Sequence, residues 1–372
     1  MHDPPSLDQA SCLNRQQRLT DWMNEQGVDL VIAVTPENVQ WITGQWCKWL
    51  FRSAAAITAD GKVTLVLPDT VAPTALADEL VRYEAQWHST LRNDQAEACS
   101  SALAGALDLP APVVLGIEYS SFPQHLMEKL APRQKGDLVD VEPQLYRLRR
   151  RKEADELAAI QVAIGATEKM YERAREIICP GISELEVFNQ LQTAAVEHCG
   201  EMLTGTGNDY QCNSPGGAPR QGVVAEVGEL YILDLGPGYR GYFADNCRTI
   251  AVTESNSLQQ DAWSRIMDVF TLVEETVRPG ASAADLFRQV EQLLGQAPVG
   301  NFTHHLGHGI GLFPHEAPHL NPFWDDCFEQ GDVFTAEPGL YDPRLAAGMR
   351  IENNYLVTAD GVEKLTNFSM EL

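Results

Sequence analysis

The sequence predicts two domains, an α/β domain followed by an α+β domain built on an internal repeat. Three observations carry this. The chain has 372 residues, more than one ordinary domain. Over about residues 1–145, strand-like and helical runs alternate, the pattern of an α/β domain. Beyond the basic cluster Leu148-Arg149-Arg150-Arg151-Lys152, two similar segments recur 99 residues apart. The boundary falls at that cluster, giving domains 1–147 and 148–372.

In the first domain, Ser11 reads as an N-cap, and Leu13, Leu19, Trp22 and Met23 mark an amphipathic helix ending at Gly27. Asp29 to Val34 reads as a buried strand. Ser53 to Thr58 and Lys62 to Leu67 flank Asp60-Gly61, a hairpin signal. Thr74 to Arg82 reads as a helix, Val113 to Glu118 as a strand and Phe122 to Leu130 as a helix. No catalytic constellation stands out here; Asn38, Trp41 and Trp46 read as packing residues.

In the second domain, a long helix is expected from about Glu153 to Ile178. Pro180-Gly181-Ile182-Ser183 then matches Pro279-Gly280-Ala281-Ser282. In each copy one helix stops at glycine and serine caps the next, with an acid three residues on, Glu186 or Asp285. Each copy is preceded by a long amphipathic stretch and followed by strand-like runs. A duplicated half-domain places its site at the seam between the halves.

Net charge is −25, from 52 acidic and 27 basic residues. That argues against a nucleic-acid partner, which requires a basic face, and against an anionic membrane surface. No run is long and apolar enough to span a bilayer. Met1 to Ser11 lacks the basic start and apolar core of a signal peptide. The eight cysteines are scattered without a C-x-x-C pair, which points to reduced thiols and a cytoplasmic location.

The chemistry concentrates between residues 229 and 357. His304 to Glu316 holds His304, His308 and His315 among glycines 307, 309 and 311. Imidazole ligates metals and transfers protons, and glycine lets backbone come close to a ligand. Asp234 ends the apolar run from Glu229, and Asp245 ends a second run from Tyr239. A tight turn at Gly236-Pro237-Gly238 would bring the two aspartates together. Glu337 ends the apolar run from Asp332, and Glu352 lies inside the run from Gly348 to Val357. Four carboxylates in one pocket repel unless cations are present, and two divalent ions would balance their four charges. Carboxylate oxygens with one imidazole suit manganese, iron, cobalt or zinc.

These residues resemble the creatinase/aminopeptidase P/prolidase family of pita-bread-fold metallopeptidases. The resemblance spans most of the chain. It rests on Asp234-Leu235-Gly236, Tyr242 to Thr249, Gly307 to Leu312, Glu337 to Tyr341 and Met349 to Asn353, in family order. Gly27-Val28-Asp29 and Asn38 to Gly44 extend it to a creatinase-like N-terminal domain.

The resemblance implies Asp234, Asp245, His308, Glu337 and Glu352 as metal ligands, with Asp245 and Glu352 bridging. It implies His304, His315 and Arg350 as substrate-site residues, with Glu337, His315 and His304 acting in catalysis. It also implies a homodimer with one N-terminal domain near the partner's active site. The activity implied is two-metal hydrolysis of Xaa-Pro peptide bonds, by an aminopeptidase or dipeptidase, with manganese the leading ion and cobalt, iron or zinc the others.

There is one departure. Gly205-Thr206-Gly207-Asn208-Asp209 fits the start of a family loop that usually supplies another active-site histidine, but residues 212–219 contain none. Slow cleavage of simple Xaa-Pro peptides is therefore expected, unless His304 or His305 fills the gap. Two alternatives follow: a metal-dependent hydrolase or lyase acting on a small non-peptide substrate, and a non-catalytic binding module. Relatives that abandon catalysis usually lose ligands, whereas this chain keeps all five.

Overall fold

The computed structural model describes residues 8–48, 50–109, 112–132 and 135–372. Its chain forms two compact units. One runs up to Arg149 and includes Glu153–Asp155; the other comprises Arg150–Lys152 and Glu156–Leu372. The expectation for Met1 to Leu7 lies outside the described residues.

The first unit runs α1 (Gln9–Gln26), β1 (Leu30–Ala33), α2 (Pro36–Thr43), β2 (Ala54–Thr58), β3 (Val63–Pro68), β4 (Glu79–Tyr83), β5 (Gln86–Trp87), β6 (Thr90–Leu91), α3 (Gln95–Ala106), β7 (Leu115–Ile117), α4 (Gln124–Leu130), β8 (Leu138–Asp140) and α5 (Glu142–Arg150). A mixed sheet orders them β4-β3-β2-β1-β7-β8. The hairpin at Asp60-Gly61 forms as expected, with Ala56 opposite Thr64. Trp41 is fully buried, and Asn38 donates to the buried Glu118 carboxylate at 2.5 Å.

Two expectations fail in this unit. The first helix starts earlier than Ser11, because the Asp8 carboxylate accepts from the Ala10 and Ser11 amides and caps it. Residues Glu79–Tyr83 are a strand rather than the end of a helix. The edge of β3 supplies parallel partners from Thr64–Glu79 to Pro68–Tyr83, and the Asp78 carboxylate accepts from Val63 N at 2.8 Å. Sheet pairing overrides a local helical pattern.

The second unit runs α6 (Ala154–Ile177), α7 (Glu184–Cys199), β9 (Gly205–Thr206), β10 (Asp209–Cys212), β11 (Leu230–Leu235), β12 (Pro237–Tyr239), β13 (Tyr242–Phe243), β14 (Asn246–Ala251), α8 (Ser257–Thr276), α9 (Ala283–Leu294), β15 (Gly307–Gly309), β16 (Glu316–Leu320), β17 (Val333–Ala336), β18 (Gly339–Leu340), β19 (Met349–Arg350), β20 (Asn353–Val357) and β21 (Val362–Lys364). Helices α6 and α7 pack Met170, Val187 and Leu191 with Tyr210, Tyr231 and Leu233 of the β10-β11-β14 sheet. Helices α8 and α9 pack Ile266, Phe270 and Val290 with Leu320, Phe334 and Tyr355 of the β16-β15-β17-β20-β21 sheet.

The duplication is visible bond by bond. Ser183 accepts from Glu186 N, and Ser282 accepts from Asp285 N, both at 3.2 Å. Gly181 N donates to Ala225 O and Gly280 N donates to Phe328 O, both at 2.8 Å. Ala225 N returns to Ile182 O and Phe328 N returns to Ala281 O, both at 2.9 Å. Gly181 and Gly280 both take positive φ, 92° and 88°, which glycine adopts without a side-chain clash.

Two local expectations change here too. The turn between the aspartate-bearing runs lies at Arg240-Gly241, not at Gly236–Gly238, which is extended. Arg240 and Gly241 have φ of 48° and 87°, and Tyr239 pairs with Tyr242, so this is the two-residue hairpin turn with both central residues left-handed. Glu352 lies in a break between β19 and β20 rather than inside one strand. There its amide donates to Cys247 O at 2.9 Å, which ties the two halves together beneath the site.

Candidate active site

The seam between the halves holds a cavity of about 560 Å³. Each half contributes acids from strand ends. In the first, β11 carries Asp234 opposite Cys247 of β14, and Asp245 immediately precedes β14. In the second, β15 carries His308, Glu337 follows β17, and Glu352 precedes β20. All five line the cavity, together with His304, His315 and Arg350. The glycines beside His308 are there for clearance: a Cβ on Gly309 would run into Ala317 O, and one on Gly307 into Thr335 O.

His308 is buried, and its Nδ1 lies 3.0 Å from Gly309 O. Nδ1–H therefore donates to that carbonyl and leaves Nε2 as the free lone pair. Nε2 sits 3.7 Å from Glu337 Oε1 and 3.9 Å from Asp245 Oδ2. Ligand atoms of Asp245, His308 and Glu352 lie within 4.8 Å of one another, close enough to share an ion. Burial lowers the His308 pKa to about 4, so the ring is neutral and able to ligate at neutral pH.

The carboxylates are short of partners. Asp234 Oδ1, Asp245 Oδ1 and both Glu352 oxygens are buried without a hydrogen-bond donor. An unpaired buried carboxylate is costly. Burial first, and then the neighbouring carboxylates, push Asp245 and Glu352 well above the usual range. Burial also raises Asp234, although Arg350 opposes it. Glu337 goes the other way. Burial raises it, but the His305 hydrogen bond and the nearby imidazoles outweigh that and hold it at about 2. An oxygen-rich set with one imidazole and orphaned oxygens fits divalent cations.

Around this set lies a polar network. Arg350 Nη2 donates to Asp234 Oδ2 at 2.7 Å and also pairs with Asp209. Arg350 Nη1 donates to Tyr341 Oη at 3.0 Å. His304 Nε2 lies 2.8 Å from Tyr341 Oη, and its Nδ1 lies 2.8 Å from His305 O. Nδ1–H faces a carbonyl, so Nε2 accepts the Tyr341 hydroxyl proton. His315 is exposed and stacks on His308 with centroids 3.7 Å apart.

Among the cavity residues, Asp209 and Tyr341 have no role of their own in the sequence reading, and His305 enters it only as a substitute for the absent loop histidine. His305 Nε2 lies 2.7 Å from Glu337 Oε1. Asp209 faces Asp234 across β10 and β11. The signal for Asp209 was the alternation Asp209-Tyr210-Gln211-Cys212, in which Tyr210 and Cys212 are buried and the other two are not. His198, the histidine upstream of the departing loop, lies in the last turn of α7.

Buried acids clustered with an imidazole make a candidate site for divalent ions. The chain belongs to metallopeptidase family M24, whose model matches residues 158–359. A Creatinase/Prolidase N-terminal domain matches residues 15–151. An Xaa-Pro dipeptidase of Pyrococcus horikoshii is 27% identical over 365 residues, covering 96% of this chain and 97% of that one. The crystal structure of the prolidase from Pyrococcus horikoshii OT3 superposes with a TM-score of 0.78 at 25% identity, covering 96% of this chain and 99% of that one. An Xaa-Pro dipeptidase from Bacillus anthracis shares the fold at a TM-score of 0.79 and 22% identity, covering 97% and 99%. The creatinase-like first domain and the pita-bread catalytic domain expected above are thus both present. Among the described residues, no helix is long and apolar enough to cross a membrane.

Proposed function

We propose that this protein is a two-metal Xaa-Pro peptidase of the dipeptidase or aminopeptidase type. The observation that carries the reading is the set Asp234, Asp245, His308, Glu337 and Glu352, gathered at one cavity with buried oxygens left unpartnered. The names of the Pyrococcus and Bacillus relatives support the substrate class. In this reading Asp234, Asp245, His308, Glu337 and Glu352 would hold two divalent ions, manganese by preference. The protein acts as a cytoplasmic homodimer, with domains 1–147 and 148–372.

When bound, the ions supply Lewis acidity, which activates water near neutral pH and polarises the scissile carbonyl. The rest is done by side chains. Glu337, ionised at neutral pH, accepts a proton from the attacking water and delivers it to the proline nitrogen as the C–N bond breaks. His305 fixes the Glu337 carboxylate through the 2.7 Å hydrogen bond. His315 donates to the oxyanion of the tetrahedral intermediate. His304 lines the substrate side and holds Tyr341, whose hydroxyl also receives Arg350 Nη1. Arg350 orients Asp234.

The test is a panel of Ala-Pro, other Xaa-Pro dipeptides and Xaa-Pro-Xaa tripeptides, assayed after loading with manganese, cobalt, iron or zinc separately. Metal content is measured on the same samples. Cleavage before proline with two ions per chain is expected. A fully loaded protein that leaves every peptide intact and hydrolyses a small non-peptide amide would move the assignment to that second class. One observation favours that second class: Pro215, from the histidine-free loop, lines the cavity wall.

A further inference from the structure

The cavity contains a fifth carboxylate that the ligand set does not use. Asp209 faces Asp234 across β10 and β11. Its Oδ2 and Asp234 Oδ2 share one donor, Nη2 of Arg350. Its Oδ1 accepts from Gly217 N at 2.6 Å, which fastens the loop after β10 to the same group. Gly216 leaves the room for this, since a Cβ there would fall 2.7 Å from Asp209 Cγ. The second oxygen of Asp234 remains without a hydrogen-bond partner.

Charge explains why the arrangement matters. Asp234, Asp245, Glu337 and Glu352 carry four negative charges when ionised. Two divalent ions balance them, provided the permanent positive charge of Arg350 is balanced elsewhere. Without Asp209, the guanidinium would keep Asp234 as its hydrogen-bonded anion, with Glu337 Oε2 farther off at 3.9 Å from Nε, and compete with a cation for it. With Asp209 present, the guanidinium lies between two carboxylates, and the five acids and one arginine sum to −4.

We infer that Asp209 is a positioning residue of the metal centre: it shares the Arg350 guanidinium with Asp234, so that Asp234 keeps a free oxygen for a cation. The inference rests on the two-metal reading above and adds a residue to it. Asp209 touches no ion itself. It acts through Arg350, so the effect belongs to metal affinity before it belongs to turnover. Groups supporting a metal ligand from outside typically change affinity by about 10- to 100-fold when removed.

The experiment titrates manganese into the metal-free full-length chain by calorimetry, for wild type, Asp209→Asn and Asp209→Ser. The Asn side chain keeps an oxygen for Gly217 N, and its NH2 replaces the charged acceptor that faces Arg350 Nη2. Both variants should bind manganese about 10- to 100-fold more weakly, with circular dichroism unchanged. Asp209→Asn binding as tightly as wild type would overturn the inference, because a residue serving only to shape the loop would behave that way. If Asp209→Asn does not fold, Asp209→Ser carries the same comparison. A wild-type chain that binds no divalent cation would overturn the metal reading itself, and this inference with it. Weak peptidase activity in a chain that binds manganese tightly touches only the substrate assignment.

Discussion

His305 Nε2 stands 2.7 Å from Glu337 Oε1, and the pair is unequally buried, with side-chain exposures of 33% and 9%. The imidazole is thus open to the cavity on one side and bonded to the buried acid on the other. Burial lowers its pKa, but Glu337 outweighs that and leaves it raised. In the histidine-free setting of residues 212–219, His305 is the imidazole placed directly against the acid proposed to move the proton.

Replacing it should therefore show in turnover. His305→Ala should lower kcat on Xaa-Pro substrates by about 10- to 100-fold, the usual cost of losing a group that orients a metal ligand. His305→Gln, which retains an N–H donor, should recover part of the loss. Metal content by elemental analysis should stay near wild type. Unchanged kcat in His305→Ala would show that Glu337 needs no such support.

Glu352 offers a test that separates metal from fold. Both of its oxygens are buried without partners. In the metal-free chain, Glu352→Gln removes one member of a repelling acid cluster, so thermal stability should hold or rise. With manganese present the order should reverse. Ligand binding stabilises by about 2.7 kcal/mol at a hundredfold excess over Kd, and the variant should gain less than wild type and lose turnover. Melting curves with and without manganese decide the matter. A metal-free Glu352→Gln chain that melts far below wild type would mean that the carboxylate holds the fold together by itself.

The strands were legible wherever apolar runs ended in acids, which is why the structure brings Asp234, Asp245, Glu337 and Glu352 to one cavity. Their apolar neighbours bury the strands, and the acids at the ends meet at the seam. Less visible were residues whose role depends on a distant partner. Asp209 means little until Arg350, 141 residues away, comes beside it. Glu79–Tyr83 looked helical because its strand pairing depends on β3 rather than on its own pattern. The hairpin turn at Arg240-Gly241 was legible in principle, since it separates Tyr239 from Tyr242 by two residues. Gly236 and Gly238 offer a competing local turn signal.

The duplicated caps give a symmetric prediction. Ser183→Ala and Ser282→Ala remove equivalent hydrogen bonds, each 3.2 Å long, at the starts of α7 and α9. Loss of a serine N-cap costs about 1 kcal/mol. Each variant should lose a similar amount in urea unfolding, with metal affinity unchanged. A large loss for one and none for the other would show that the two halves no longer share a working design.

Glu184, whose side chain is fully buried, pairs with Arg220 at 2.5 Å and accepts from Cys212 N at 3.1 Å and Arg220 N at 2.7 Å. This clamp holds the far end of the loop that starts at Asn213. Burial raises the Glu184 pKa, but the Arg220 hydrogen bond and the two amides outweigh it, leaving it below the ordinary value of 4.5. A carboxyl lowered on folding stabilises the native state above its ordinary pKa, and that contribution is lost as pH falls through the lowered value. Wild type should therefore lose stability as pH drops below about 4.5, where the unfolded chain takes up the proton first. Arg220→Ala should cost about 1–3 kcal/mol at pH 7, the cost of leaving a buried acceptor short of its donor. The low end is expected, because the Arg220 side chain is 40% exposed and solvent screens it. The gap between variant and wild type should narrow as the acid titrates. Urea unfolding of both chains at pH 7, 5, 4 and 3 measures this, and a gap that stays constant across the series would show that the pair contributes nothing through its charge.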